Sequence, residues 1–180
     1  LKGPNGSGKS TLLSTLMGLM EVTKGSILVD ERKINFKNES WKENLGYASN
    51  ENFFYEGSIA ENICFGENLE DINIFKVEET IKFVELSDFV SKAKDQIHSK
   101  INQSGLKISE GEKQKIALAR AIYRSPKILI LDEALSSIDA PSVKKIMEKF
   151  SDNKNLTVIY ISHEKDFSNY FDNQNIINLK

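Results

Sequence analysis

Cysteine is nearly absent from the 180 residues: Cys64 stands alone, so no internal disulfide can form. A single thiol reads as a small apolar residue in a reducing compartment. Long hydrophobic runs are lacking, and none approaches the ~20 residues that a helix needs to span a bilayer. There is no basic excess: the net charge is -2, with 28% charged residues. That balance argues against nucleic acid as a partner and against attraction to an anionic membrane surface. Internal repeats and linkers are also missing. What remains is an ordinary globular composition, 39% hydrophobic, of a length that suits one domain with a sizeable core.

Strand-like and helix-like stretches alternate along the chain. An apolar helical run (Leu12, Leu13, Leu16, Met17, Leu19, Met20) follows a glycine-rich start. SILVD at 26–30 and residues 45–48 read as short strands. Residues 72–86 carry Ile74, Val77, Ile81 and Val84 at helical spacing, and 87–94 reads as a second short helix. A loop is expected over 101–109 and a helix over 110–123. KILIL at 127–131 and TVIYIS at 157–162 are almost unbroken apolar strands, the texture of strands covered on both faces in a parallel sheet. Between them lies a helix over 141–150 with Pro141 in its first turn, and a last short strand is expected at 174–179. The predicted class is α/β: a mostly parallel sheet flanked by helices, with a mostly helical insert at 51–107.

Three stretches carry chemistry. GPNGSGKS at 3–10 fits G-x-x-x-x-G-K-[ST] and opens a helix. Wrapping a triphosphate in backbone N–H groups needs close approach and positive φ angles, which Gly3, Gly6 and Gly8 permit. The helix that follows directs its positive end at the anion. Asn5, Ser7 and Thr11 complete the cradle. Lys9 reaches the β- and γ-phosphates and the Ser10 hydroxyl can ligand Mg²⁺. KILILDE at 127–133 then delivers two carboxylates at a strand's carboxyl end, where ligands of open α/β sheets sit. Asp132 is placed to hold Mg²⁺, and Glu133 to act as general base on the attacking water. His163 follows the strand TVIYIS, so the same geometry brings it to the ligand end, within reach of the γ-phosphate and the attacking water. His98 lies in a polar loop and reads as structural.

ISEGEKQKIALARAI at 108–122 decides among P-loop proteins. It resembles the signature of ATP-binding cassette (ABC) proteins and lies roughly a hundred residues after the cradle. SSID at 136–139 resembles the D-loop (Ser137, Asp139), and His163 the switch histidine. These motifs, in family order, cover almost the whole chain. The resemblance implies a P-loop NTPase fold, with 1–50 and 108–180 as ATPase core and 51–107 as helical subdomain. It implies ATP and Mg²⁺ as ligands, and hydrolysis with Glu133 and His163 at its centre. Two cassettes pair head to tail, so that Ser109, Gly111 and Glu112 of one face the ATP of the other. Read by itself, ISEGE is a capped helix start with Ser109 as N-cap. GSIAENI within 46–67 is similar to the run that follows the Q-loop in exporter cassettes. It implies an ABC transmembrane domain as partner and a location on the cytoplasmic face of the membrane. For Phe53 and Phe54, core packing and docking to that domain both remain open.

The pattern departs from the family in places. Asn50 stands at the Q-loop glutamine position, a possible contact to Mg²⁺, with a side chain about 1.5 Å shorter. Glu110 stands where glycine is usual, and Glu112 replaces glutamine, which suits a helix dipole but disfavours a nearby phosphate. NQSG at 102–105 lacks the glutamate common in exporters. Only Leu1 and Lys2 precede the cradle, whereas the family places a β subdomain with an adenine-stacking aromatic there. The chain is therefore expected to be an N-terminally truncated cassette. The SMC-type DNA ATPases also have a signature ending in Gly-Glu, but they insert a long coiled coil that this spacing lacks.

Overall fold

The apolar strand ILILD organises the molecule. In a computed structural model describing residues 1–4, 6–36, 39–51, 53–101, 107–161, 170 and 177–179, this strand is β6 (Ile128–Asp132). The elements before it are α1 (Lys9–Leu16), β1 (Leu28–Val29), β2 (Arg32–Lys33), α2 (Glu39–Glu43), β3 (Leu45–Ser49), β4 (Gly57–Ser58) and α3 (Ile59–Ile63). After these come α4 (Ile74–Phe83), α5 (Ser87–Lys92), β5 (Lys100–Ile101) and α6 (Glu110–Tyr123). The helix α7 (Ala140–Asp152) and the strand β7 (Thr157–Ile161) follow β6. Strand β6 pairs in parallel with β3 on one side and β7 on the other. Ser49, Asp132 and Ile161 lie opposite one another, so all three strands end at one level.

Residues of β6 alternate between two apolar clusters. Leu129 and Leu131 join the larger core with α3, α4, α6 and α7. Ile130 joins Leu13 and Ile161, with Leu16, Met17, Ile128 and Ile159 packed around them. Both faces of the sheet are thus covered, as an unbroken apolar strand requires. Leu129, Ile130 and Leu131 are fully buried, each contributing about 1.5–3 kcal/mol.

Helix α6 begins at Ser109, whose hydroxyl accepts from Glu112 N–H while the Glu112 carboxylate accepts from Ser109 N–H. This capping box satisfies two end groups reciprocally. Helix α7 buries Val143, Ile146, Met147 and Phe150 at i, i+3, i+4, i+7 spacing. Its N-cap is Asp139, which accepts from Ser142 N–H at 2.9 Å.

Several elements differ from expectation. The run after the cradle stops at Leu16: Gly18, at φ 74°, closes the helix, with Leu19 N–H donating to the Ser14 carbonyl and Gly18 N–H to that of Thr15. Leu19 and Met20 fall beyond the helix and are exposed. The strand expected at 26–30 shrinks to two residues paired antiparallel with Arg32–Lys33. The strand β5 reaches Ile101, the first residue of the expected loop, and pairs with β4. Of the last expected strand, Asn178 forms a parallel bridge with Lys2. Leu1 in turn donates to the Tyr160 carbonyl of β7 at 2.8 Å. Asn5, the 102–105 stretch and His163 lie outside the described residues.

Candidate functional site

A cleft of about 580 Å³ opens at the carboxyl ends of β3 and β6. Gly6, Gly8, Lys9, Ser10 and Thr11 line one side; Asn50, Asp132 and Glu133 line the other. Gly6 and Gly8 sit at φ 81° and 89°, a region open to glycine at no steric cost. Gly8 is the N-cap of α1 and has no side chain to cap it. Lys9 Nζ donates to the carbonyls of Gly3 (2.8 Å) and Pro4 (2.9 Å), which holds the ammonium against its own loop. Gly3 lies deeper in the loop. A Cβ there would come within 2.6 Å of Ser7 Oγ and 2.8 Å of the Leu179 carbonyl oxygen. Among the described residues, that Ser7 hydroxyl is a buried oxygen without a hydrogen-bond partner.

The acidic side is rigidly built. Asn50 N–H donates to the Asp132 carbonyl at 3.1 Å, extending the β3–β6 ladder by one bond. Glu133 takes φ 55°, a left-handed conformation that costs a non-glycine residue about 1–3 kcal/mol and collects at functional sites. Two backbone bonds hold it there: Glu133 N–H to the Ile161 carbonyl (3.0 Å), and Ser136 N–H to the Glu133 carbonyl (3.2 Å). Hydroxyl and carboxylate oxygens from Ser10 and Asp132 make a hard donor set that suits Mg²⁺. Together with the glycine loop and the unpartnered Ser7 hydroxyl, that set fits a magnesium-bound triphosphate.

Residues not singled out from sequence also line the cleft: Tyr47, Ser49 and Glu51. The alternation of β3 was the available signal, since Gly46 and Ala48 face inward and Tyr47 and Ser49 face the other way. Tyr47 stays 43% exposed; partial desolvation of its hydroxyl, offset by a hydrogen bond with Ser49 and aided by the Asp132 and Glu51 carboxylates, moves the phenol above its ordinary pKa.

Ser109, Gly111, Glu112, Ser137 and Asp139 do not line this cleft. Two pairs among them are in contact, Ser109 with Glu112 and Gly111 with the Ser137 carbonyl. Asp139 is held at about 2 by the Ser142 N–H, then by the Ser142 hydroxyl and the Lys115 ammonium at 3.2 Å. The two groups of residues are joined by a side chain that sequence reasoning missed, Gln114, which bonds to Asn50, Ser136 and Ser137.

Phe53 is 68% exposed. Phe54 is half-buried beneath the Arg120 guanidinium, 5.4 Å from its ring centroid. Among the described residues, no helix is long and apolar enough to cross a membrane.

Comparison with known proteins gives a consistent result. The family model described as "ABC transporter" matches residues 1–136. The chain is 37% identical over 164 residues to ABC transporter B family member 13 of Arabidopsis thaliana, spanning 89% of this chain and 13% of that protein. It is 38% identical over 163 residues to a putative export ATP-binding/permease protein of Rickettsia bellii, spanning 89% of this chain and 28% of that one. The structure of a bacterial Atm1-family ABC exporter with ATP bound superposes with a TM-score of 0.85 at 28% identity, covering 99% of this chain and 31% of that one. The chain thus spans less than a third of the length of these relatives. Its fold is that of a P-loop NTPase, and with a family match over residues 1–136 the chain belongs to the ABC transporter family.

Proposed function

We propose that this chain is the ATP-binding and ATP-hydrolysing part of a membrane exporter, working by ATP-driven head-to-tail pairing of two cassettes. One observation carries the reading: Lys9 and Ser10 share a single cleft with Asp132 and Glu133. In this reading Gly3, Asn5, Gly6, Ser7, Gly8 and Thr11 cradle the phosphates, and Lys9 neutralises the terminal ones. Ser10 and Asp132 would hold Mg²⁺, with Asn50 beside them. The metal, when bound, neutralises charge on the β- and γ-phosphates. Glu133 takes the proton of the attacking water, and His163 keeps water and phosphate in register.

Ser109, Gly111 and Glu112 do not line the chain's own cleft, which supports a role on a partner's ATP. Ser137 and Asp139 belong to the same pairing surface. We assign 1–50 and 108–180 to the ATPase core and 51–107 to a helical subdomain. An ABC transmembrane domain would dock beside exposed Phe53, on the cytoplasmic face of the membrane. The relatives named above as exporters support that partner. Phosphate release by the full-length protein tests the reading: it should require Mg²⁺ and fall to background in Lys9→Ala, with weakened ATP binding by calorimetry. Unchanged ATP affinity in Lys9→Ala would remove the cradle from the account.

A further inference from the structure

We propose that Gln114 is a positioning residue for hydrolysis, bracing the Asp132–Glu133 strand end from both sides; this rests on the ATPase reading above. Gln114 lies in α6, five residues after the cap Ser109, and is 2% exposed. Its Nε2 donates to Asn50 Oδ1 at 3.0 Å and to Ser136 Oγ at 2.9 Å. Its Oε1 accepts from Ser137 N–H at 2.8 Å. Both amide hydrogens and the carbonyl are therefore engaged, by residues 22 to 64 positions away in the chain.

The partners are not arbitrary. Asn50 donates its N–H to the Asp132 carbonyl, and Ser136 donates its N–H to the Glu133 carbonyl. Two short paths thus leave one buried amide and end on the backbones of the two carboxylates. Glu133 holds a strained φ, which persists only where the surroundings over-determine it. A network centred on one buried amide, with its donors and its acceptor all engaged, supplies that constraint. The same amide fixes the side chain of Asn50 relative to α6, the helix whose first residues face the partner's nucleotide in the proposed pairing. Movement of α6 would reach Asn50 and the strand end through Gln114.

The test uses the full-length protein. Gln114→Met keeps length and burial but removes all three hydrogen bonds. Turnover of MgATP should fall about tenfold with KM changed less than about twofold, because the cradle is untouched. Combining it with Asn50→Ala should cost little more than the more damaging single change, since coupled sites are non-additive. Hydrogen exchange at the Ser137 amide should accelerate. If Gln114→Met does not fold, Gln114→Glu gives the same turnover and double-variant readouts, since it loses the donations to Asn50 and Ser136, while exchange at the Ser137 amide should stay unchanged because the carboxylate still accepts from it. Wild-type protein without turnover overturns the ATPase reading itself. An active wild type with unchanged kcat in the Gln114 variant, or a double variant falling by the product of the singles, overturns only the role of Gln114.

Discussion

Gly111 and Ser137 are in backbone contact: a Cβ built on Gly111 would lie 2.7 Å from the Ser137 carbonyl oxygen. The first turn of α6 therefore rests directly on the turn that follows Glu133. Gly111→Ala sets two effects against each other. Alanine favours the helix by about 1 kcal/mol, whereas overpacking against a backbone atom costs about 1–3 kcal/mol. The net loss of stability should be small, a shift of a few degrees in thermal denaturation. Turnover should suffer more, at least about tenfold, because the start of α6 must move away from Ser137. Unchanged turnover would show that this contact does not matter to the reaction.

Asp139 links stability to pH. Its folded pKa of about 2 lies below the ordinary 3.8. A depressed carboxylate contributes stability that is present above its unfolded pKa and lost as pH falls through the folded value. Asp139→Ala should cost about 1 kcal/mol at neutral pH through loss of the α7 cap. The gap between variant and wild type should close as pH drops from about 4 toward about 2. Chemical denaturation across that range measures it; a gap independent of pH would assign the loss to something other than the carboxylate.

Glu112 caps its own helix, its carboxylate accepting from both the N–H (2.8 Å) and the hydroxyl (2.7 Å) of Ser109. The negative charge therefore lies at the helix start that the proposed pairing directs at a phosphate. Glu112→Gln retains an acceptor for the cap while removing the charge. Its stability cost should be no more than about 1 kcal/mol, and the KM for MgATP should fall several-fold. A raised KM would mean that the carboxylate assists nucleotide binding.

Legibility in the sequence followed the range of the determining contacts. Helix α6 was readable to its ends because Ser109 and Glu112 form a local cap and Tyr123 closes the apolar pattern. Strands β6 and β7 were readable because burial on both faces leaves an unbroken apolar run. The β1–β2 hairpin was not: Asp30 and Glu31 occupy its turn at φ 48° and 64°, without the Asn-Gly signature such angles favour. Helix α1 was overrun because Leu19 and Met20 continue the apolar pattern past the stop at Gly18. Of the site, the cradle and the Asp132–Glu133 pair were legible as contiguous motifs. Tyr47 and Ser49 needed the strand register. Gln114 sits among charged neighbours in EGEKQK and looks like a surface residue; its polar groups are satisfied inside by Asn50, 64 positions away, and by Ser136 and Ser137, none of them a neighbour in sequence.

The central claim is that Glu133, held at the end of β6 beside the phosphate cradle, is the base for ATP hydrolysis. Glu133→Gln retains the shape of the side chain and removes its basicity. Single-turnover hydrolysis of MgATP by the full-length protein, measured beside ATP affinity, tests this most directly. Affinity should stay close to that of the wild type and turnover should fall by about two orders of magnitude or more. Turnover near the wild-type rate would contradict the role of Glu133 as the base.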